Sequence, residues 1–301
     1  MTLQACILID IGGTAIKYGV ADFDGNFFYK KEMPTEAKTH GGKGIVLKVK
    51  NIIKEALHQY SFIKHVAIST AGMVNPETCE IIYALPDAIP DYTGVNFRKI
   101  IQEEFNLNVF VENDVNCASL GELWLGAGKG MHSIFCMTIG TSVGGAMICN
   151  QHLISGASNS AGEIGYMIIP GGTLHELAST TYLVKTYAQL SSTPYEKVNG
   201  VLIFDKAEAG DTVAIKAIDL LLEHLTNGIA NVVSVQNPQM VILGGGIMAR
   251  SAYLRPKLNK LLKMKLREIV FNATKVEFAA LKNDAGMLGA LFNLKQRAQI
   301  K

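Results

Sequence analysis

No two of the five cysteines (Cys6, Cys79, Cys117, Cys136, Cys149) stand in a C-x-x-C spacing, so neither a disulfide framework nor an all-cysteine zinc site is expected. Nor does one charge dominate: 28 Lys and Arg face 26 Asp and Glu, a net charge of +2. Nucleic-acid binders concentrate basic residues on one face, and that class is set aside. No apolar run approaches the ~18 residues of a membrane span. The amino-terminal apolar stretch has no charged leader and breaks at Asp10 and Gly12-Gly13. The expectation is therefore a soluble, cytoplasmic protein with no leader peptide and no membrane partner. Low-complexity sequence is absent as well. What remains is a chain of 301 residues, 49% hydrophobic and 18% charged, which at about 150 residues per domain gives roughly two domains able to bury a core.

Short β-rich runs alternate with helical patterns, the mark of an α/β architecture. Residues 4–11 read as a buried strand, Gly12-Gly13-Thr14 as a tight turn, and residues 15–21 as a returning strand. A mobile, Lys-rich stretch is expected over 29–44, then helical spacing from Ile45 to Tyr60. Strands follow at 65–70 and at 108–111, the latter ending at Glu112-Asn113-Asp114. Residues 126–130 are loop-like and suit a domain boundary. Beyond them the pattern repeats, with strand 134–139, glycine turn 140–145 and strand 146–150. A strand at 240–243 then runs into Gly244-Gly245-Gly246, and a last helix starts near Ala285. Strand, glycine–threonine turn, strand thus occurs twice at a spacing too long for a solenoid, which fits a two-lobe duplication.

Backbone N–H groups that glycine lets come close, a nearby hydroxyl and a carboxylate suited to a metal together hold polyphosphate. Asp10, Gly12, Gly13 and Thr14 supply all three. No Gly-Lys-Ser/Thr follows, and the turn opens a hairpin rather than a helix, so it is not a P-loop. The second turn, from Gly140 and Thr141 to Gly145, makes a nucleotide clamped by two hairpins the better reading than two plain turns. Gly244, Gly245 and Gly246 suit close approach of a purine or ribose. Asp114 either caps a helix or acts as a general base. Lys17 either pairs with phosphate or is an exposed strand lysine.

With DIGGT at 10–14, STAGMV at 69–74, ENDVN at 112–116, GTSVGG at 140–145, AGEIGY at 161–166, LGGG at 243–246 and NDAGMLGA at 283–290, the chain resembles the ROK family over essentially its whole length. That family of sugar kinases belongs to the actin, hexokinase and heat-shock ATPase superfamily. The resemblance implies a ribonuclease H-like, two-lobe actin-like ATPase fold with duplicated βββαβα lobes and a cleft between them. The lobes are expected at 1–117, with helix 285–301 packing back on the first, and at 118–284. It also implies ATP as the phosphoryl donor, with Gly12, Gly13, Thr14, Gly140 and Thr141 on its phosphates and Gly244 to Gly246 against the adenosine. Asp10 would act on magnesium, Asn113 and Asp114 would hold the sugar with Asp114 as base, and Glu163 would bind a ring hydroxyl.

The departures bear on the acceptor. Most relatives have His after the Glu-x-Gly and then a three-cysteine zinc loop. Here Tyr166 stands in that place, and residues 170–176 contain no cysteine, so no structural zinc is expected. The usual loop Glu aligns with His175, and whether Glu176 replaces it is left open. Ala88 stands where many relatives carry a sugar-reading Asn, and Ser142 and Ala146 replace two glycines. Ala88, the Thr-Leu-x segment at 173–175 and AGEIGYM at 161–167 resemble the zinc-less β-glucoside kinases, so the expected acceptor is the 6-hydroxyl of a glucose unit in a β-glucoside such as cellobiose. N-acetylmannosamine and free glucose are the rival acceptors. The non-enzyme rival is a ROK-type sugar-responsive regulator, but a strand starting near Gln4 leaves no room for a preceding helix-turn-helix. Beyond a small-molecule sugar, the one partner left open is a second copy in a homodimer.

Overall fold

A computed structural model describes residues 4–300. The chain divides into two compact units: residues 1–126, 156–160 and 281–301 form unit 1, and residues 127–155 and 161–280 form unit 2. In chain order the first elements are β1 (Ala5–Ile11), β2 (Ala15–Asp22), β3 (Phe27–Pro34), α1 (Ala37–Gln59), β4 (His65–Thr70), β5 (Met73–Asn75), β6 (Glu80–Tyr83), α2 (Phe97–Phe105), β7 (Asn108–Asn113) and α3 (Asp114–Trp124). Then come β8 (Ile134–Ile139), β9 (Val143–Cys149), β10 (His152–Leu153), β11 (Ile168–Ile169), β12 (Gly172–Thr173), α4 (Leu174–Ala178), α5 (Thr180–Ser191), α6 (Gly200–Glu208) and α7 (Thr212–Gln236). The chain closes with β13 (Met240–Gly244), α8 (Ser251–Lys265), α9 (Glu268–Ala273), β14 (Lys275–Phe278) and α10 (Ala285–Arg297).

In unit 1 the sheet order is β3-β2-β1-β4-β7, with the β1–β2–β3 hairpins antiparallel and β1, β4 and β7 parallel. Strand β1 is buried on both faces, so it reads as an almost continuous apolar run. Ile7, Ile9 and Ile11 enter one core with Ile45, Val49 and Ile52 of α1 and Phe97 and Ile101 of α2. Cys6 and Leu8 point the other way, into a second core with Cys117 of α3 and Leu291 and Leu294 of α10. That side closes tightly: an added Cβ at Gly289 would stand 1.6 Å from the Cys117 carbonyl oxygen, which only glycine permits.

Unit 2 repeats the plan in the order β10-β9-β8-β13-β14, again an antiparallel hairpin set beside parallel strands. Its core joins Phe135, Met137 and Ile139 of β8 and Val241 and Leu243 of β13 to Leu221, Leu225 and Ile229 along α7. The third strand has shrunk to two residues.

Two expectations need adjustment. Residues 29–44 are ordered as β3 and the start of α1; β3 is an edge strand, and its charges belong to an edge kept from pairing further. A lobe boundary after residue 117 would cut α3, which runs unbroken to Trp124 and packs along α10. The units part at Gly126, in the glycine-rich stretch, and the returning segment begins at Leu281. Among the described residues no helix is long and apolar enough to cross a membrane.

Candidate active site

In unit 1 the strand ends carry an acid cluster. Asp10 lies across from Lys17 on β2 and from Ser69 on β4. The Ser69 hydroxyl donates to Asp10 Oδ1 at 2.6 Å, and Lys17 Nζ sits 4.0 Å from Asp10 Oδ2 and donates to Asn283 at 3.4 Å. Burial raises the Asp10 carboxyl above its ordinary range, opposed by Ser69 and Lys17. Gly286, in the first turn of α10, leaves the space this carboxylate fills: an added Cβ would stand 2.6 Å from Asp10 Oδ1.

At the end of β7, Glu112 is buried and accepts from the Asn113 N–H and Asn116 Nδ2. Asn113 caps α3, its Oδ1 accepting from the N–H groups of Val115 and Asn116. Its amide donates to the Gly72 carbonyl at 3.0 Å and to Asp114 Oδ1 at 2.9 Å. Two acceptor and two donor positions exhaust the side chain of an asparagine, and of the four bonds here one goes to Asp114, one to Gly72 and two cap α3. Asp114 Oδ1 also accepts from the Val115 N–H at 3.0 Å. Desolvation, and after it the charge of Asp10, pushes the Asp114 carboxyl up from 3.8 to about 7. Asp114 thus titrates under the charge of Asp10, and its apparent value belongs to both groups.

The turn between β1 and β2 is closed by the Gly12 N–H donating to the Ala15 carbonyl at 3.0 Å. A Cβ at Gly13 would meet nothing within 4 Å, so that side of the turn is open. From outside the hairpin, buried Thr35 reaches in. Its hydroxyl donates to the Gly12 carbonyl at 2.6 Å and its N–H to the Thr14 carbonyl at 2.9 Å.

In unit 2 the corresponding turn is closed by the Gly140 N–H donating to Ser142 at 2.9 Å. The Gly140 carbonyl accepts from the Thr180 N–H at 2.8 Å, and the Thr141 carbonyl from the Thr181 hydroxyl at 3.0 Å. Gly245 has a φ of +104°, and an added Cβ there would lie 2.1 Å from the Ile139 carbonyl, so this glycine is required by the backbone. Gly246 is open and Gly244 makes ordinary contacts. Gly145 belongs to β9 rather than to the turn, and it packs against Gly162, where a Cβ would meet the Gly145 carbonyl at 2.4 Å. That contact seats Glu163, whose carboxyl desolvation raises, just before the turn Ile164–Tyr166 that packs on α4. A Cβ at Gly165 would stand 3.7 Å from His175 Cβ, so His175 and the Glu163–Tyr166 turn share one neighbourhood. Tyr166 is 72% exposed. Glu176 is engaged elsewhere: its Oε2 accepts from the N–H and hydroxyl of Thr173 in a capping box that starts α4, and those bonds hold its pKa low. Among the described residues no cluster of three or more His, Cys, Asp or Glu could hold a metal ion on its own.

Sequence reasoning left Ser69, Thr35 and Gly286 without roles. Ser69 and Gly286 lie inside quoted motifs, whereas nothing local marks Thr35.

Unit 1 carries an acid pair, Asp10 and Asp114, and each unit carries a glycine turn; the comparisons with known proteins say to which family these features belong. The model of the ROK family matches residues 6–297. A β-glucoside kinase from Listeria monocytogenes is 32% identical over 295 residues, spanning 95% of this chain and 96% of that one. Among solved structures, a candidate N-acetylmannosamine kinase from Listeria monocytogenes superposes with a TM-score of 0.85 at 31% identity, covering 98% of this chain and 100% of that one. A ROK-family glucokinase from Streptomyces griseus, solved with glucose and AMPPNP, gives 0.78 at 26% identity, covering 96% and 98%. The chain belongs to the ROK family. Its fold is the actin-like two-domain α/β fold of the ROK sugar kinases, and its class is carbohydrate kinase.

Proposed function

We propose that the protein transfers the γ-phosphoryl group of ATP to the 6-hydroxyl of a hexose unit, with a β-glucoside such as cellobiose as preferred acceptor. The observation that carries this reading is Asp114. A carboxylate titrating near 7 matches the working pH of a general base, and it accepts the proton of the sugar hydroxyl as that oxygen attacks phosphorus. Asn113 fixes the carboxylate's orientation, and the α3 N-terminus favours its charge.

Magnesium bound with the nucleotide would neutralise charge on the phosphate oxygens. An ion that keeps most of its water and takes its other ligands from phosphate needs only one or two carboxylates, and Asp10, hydrogen-bonded by Ser69 and faced by Lys17, suits that part. N–H groups of the turns at Gly12–Thr14 and Gly140–Thr141 receive phosphate oxygens, and Gly244–Gly246 receives the adenosine. Glu163 takes a ring hydroxyl. Glu176, tied into its capping box, serves α4. The acceptor choice rests on kinship with β-glucoside kinase and on the exposed ring of Tyr166, an apolar face for a second sugar ring.

ADP release measured with cellobiose, glucose and N-acetylmannosamine tests both levels. The expected result is the highest kcat/KM for cellobiose. A preference of tenfold or more for N-acetylmannosamine overturns the acceptor while leaving the kinase. Failure of every sugar to stimulate ADP release overturns the reaction itself.

A further inference from the structure

We infer that Thr35 is a positioning residue for the nucleotide phosphates: by pinning the Gly12 carbonyl it fixes the Gly12–Gly13 peptide so that the Gly13 N–H stays turned toward the open side of the turn. The inference rests on the reading of Gly12–Thr14 as a phosphate turn. Two glycines in series let a backbone approach a phosphate closely, but they also leave the peptide between them freest to flip. In a trans peptide the C=O and N–H point in opposite directions. A flip would therefore present a carbonyl where a donor is needed. The Thr35 hydroxyl, 2.6 Å from the Gly12 carbonyl, holds that oxygen on the protein side.

Thr35 is itself fixed. It is fully buried, and Lys48 of α1 donates to the carbonyls of Pro34 and Thr35 and to Glu36 Oε2. The N–H bond from Thr35 to Thr14 already continues the pairing of β2 with β3, so strand pairing does not require the hydroxyl. Unit 2 provides an independent parallel. The residue after Ile139, Gly140, has its carbonyl pinned by the Thr180 N–H, and the next carbonyl is pinned by the Thr181 hydroxyl. In both turns the first glycine's carbonyl is held from outside the hairpin, by different elements of unrelated local sequence.

The test is magnesium–AMPPNP binding by calorimetry, with KM for ATP and for the sugar, on the full chain carrying Thr35→Val, Thr35→Ser, Lys48→Met or Gly13→Val, each checked by its Tm. Thr35→Val keeps shape and N–H but loses the hydroxyl; Thr35→Ser keeps the hydroxyl. Thr35→Val should raise the AMPPNP Kd and the ATP KM about tenfold, the scale of a buried carbonyl left without its partner, with the sugar KM unchanged. Thr35→Ser should bind like wild type, and Lys48→Met should shift the same constants by less, which keeps a readout should Thr35→Val not fold. Wild-type nucleotide binding by Thr35→Val while Gly13→Val has lost it overturns the brace alone. A sugar KM that rises in step with the ATP KM, or no recovery in Thr35→Ser, overturns it too. If Gly13→Val itself binds AMPPNP normally, the turn does not hold phosphate, and the brace falls together with that part of the proposed function.

Discussion

Strands β1 and β8 open sheets of the same order, and both run through an isoleucine into a three-residue glycine turn before the next strand. One residue before that isoleucine, β1 carries Asp10, in register with Ser69, whereas β8 carries Thr138, in register with Gly244. At the far parallel strand, β7 ends in Glu112 and Asn113 and gives way to Asp114, whereas β14 ends at Phe278 and is followed by Ala279, Ala280 and Leu281. Both units keep the pinned glycine turn, but Asp10 and Asp114 have no acidic counterpart in unit 2, where Glu277, the acid near the end of β14, pairs with Arg255. The repeated scaffold keeps the backbone device in both units, while the proposed proton chemistry falls to one. In the proposed reaction unit 1 supplies the base and unit 2 contributes backbone and Glu163.

The sharpest way to break that asymmetry is Asp114→Asn. The amide can still accept from Val115 and Asn113, but it cannot take a proton, so kcat should fall by roughly 10²–10⁴ while AMPPNP binding, measured by calorimetry, stays near wild type. Turnover close to wild type would return the proton chemistry to some other group. A smaller effect is expected from Gly286→Ala. Its methyl would lie 2.6 Å from Asp10 Oδ1, and displacing that carboxylate should lower kcat about tenfold and raise the magnesium concentration needed for half-maximal rate. Steady-state rates at varied magnesium and fixed ATP read this directly. The smallest effect concerns stability. Because the Asp114 carboxyl is raised to about 7, the folded state keeps a proton that the unfolded state has lost above its ordinary value near 3.8. Stability therefore falls as pH rises through that window. Asp114→Asn removes the loss, so its Tm should exceed that of wild type by a few degrees at about pH 8 and show no such gain at about pH 4. A variant less stable at both pH values would contradict the desolvated-carboxylate picture.

Much of the fold was legible because the duplicated glycine hairpin and the buried strands announce themselves locally. Strand β1 reads as an apolar run, and α7 keeps helical spacing over its whole length. Strand β3 did not, since Lys30, Lys31 and Glu32 on an exposed edge look like loop sequence. Within the site, Asp10 and Asp114 were readable from their places at strand ends. The long-range partners were not: Ser69, which donates to Asp10, is 59 residues from it, and Thr35, which holds the Gly12 carbonyl, is 23 from Gly12. Glu176 was left open as a replacement for the loop Glu. Its carboxylate closes the Thr173 capping box, a pattern that is visible in the sequence as Thr-x-x-Glu.

The central claim, that a raised carboxylate in unit 1 takes the acceptor's proton, is tested most directly by the pH dependence of kcat/KM for the sugar at saturating magnesium–ATP. A general base works only when deprotonated, so the account predicts a rate that climbs with pH through an apparent pKa near 7, belonging to the Asp114–Asp10 pair, and then levels off. A profile flat from about pH 5 to pH 9, or one that falls as pH rises through neutrality, would contradict it.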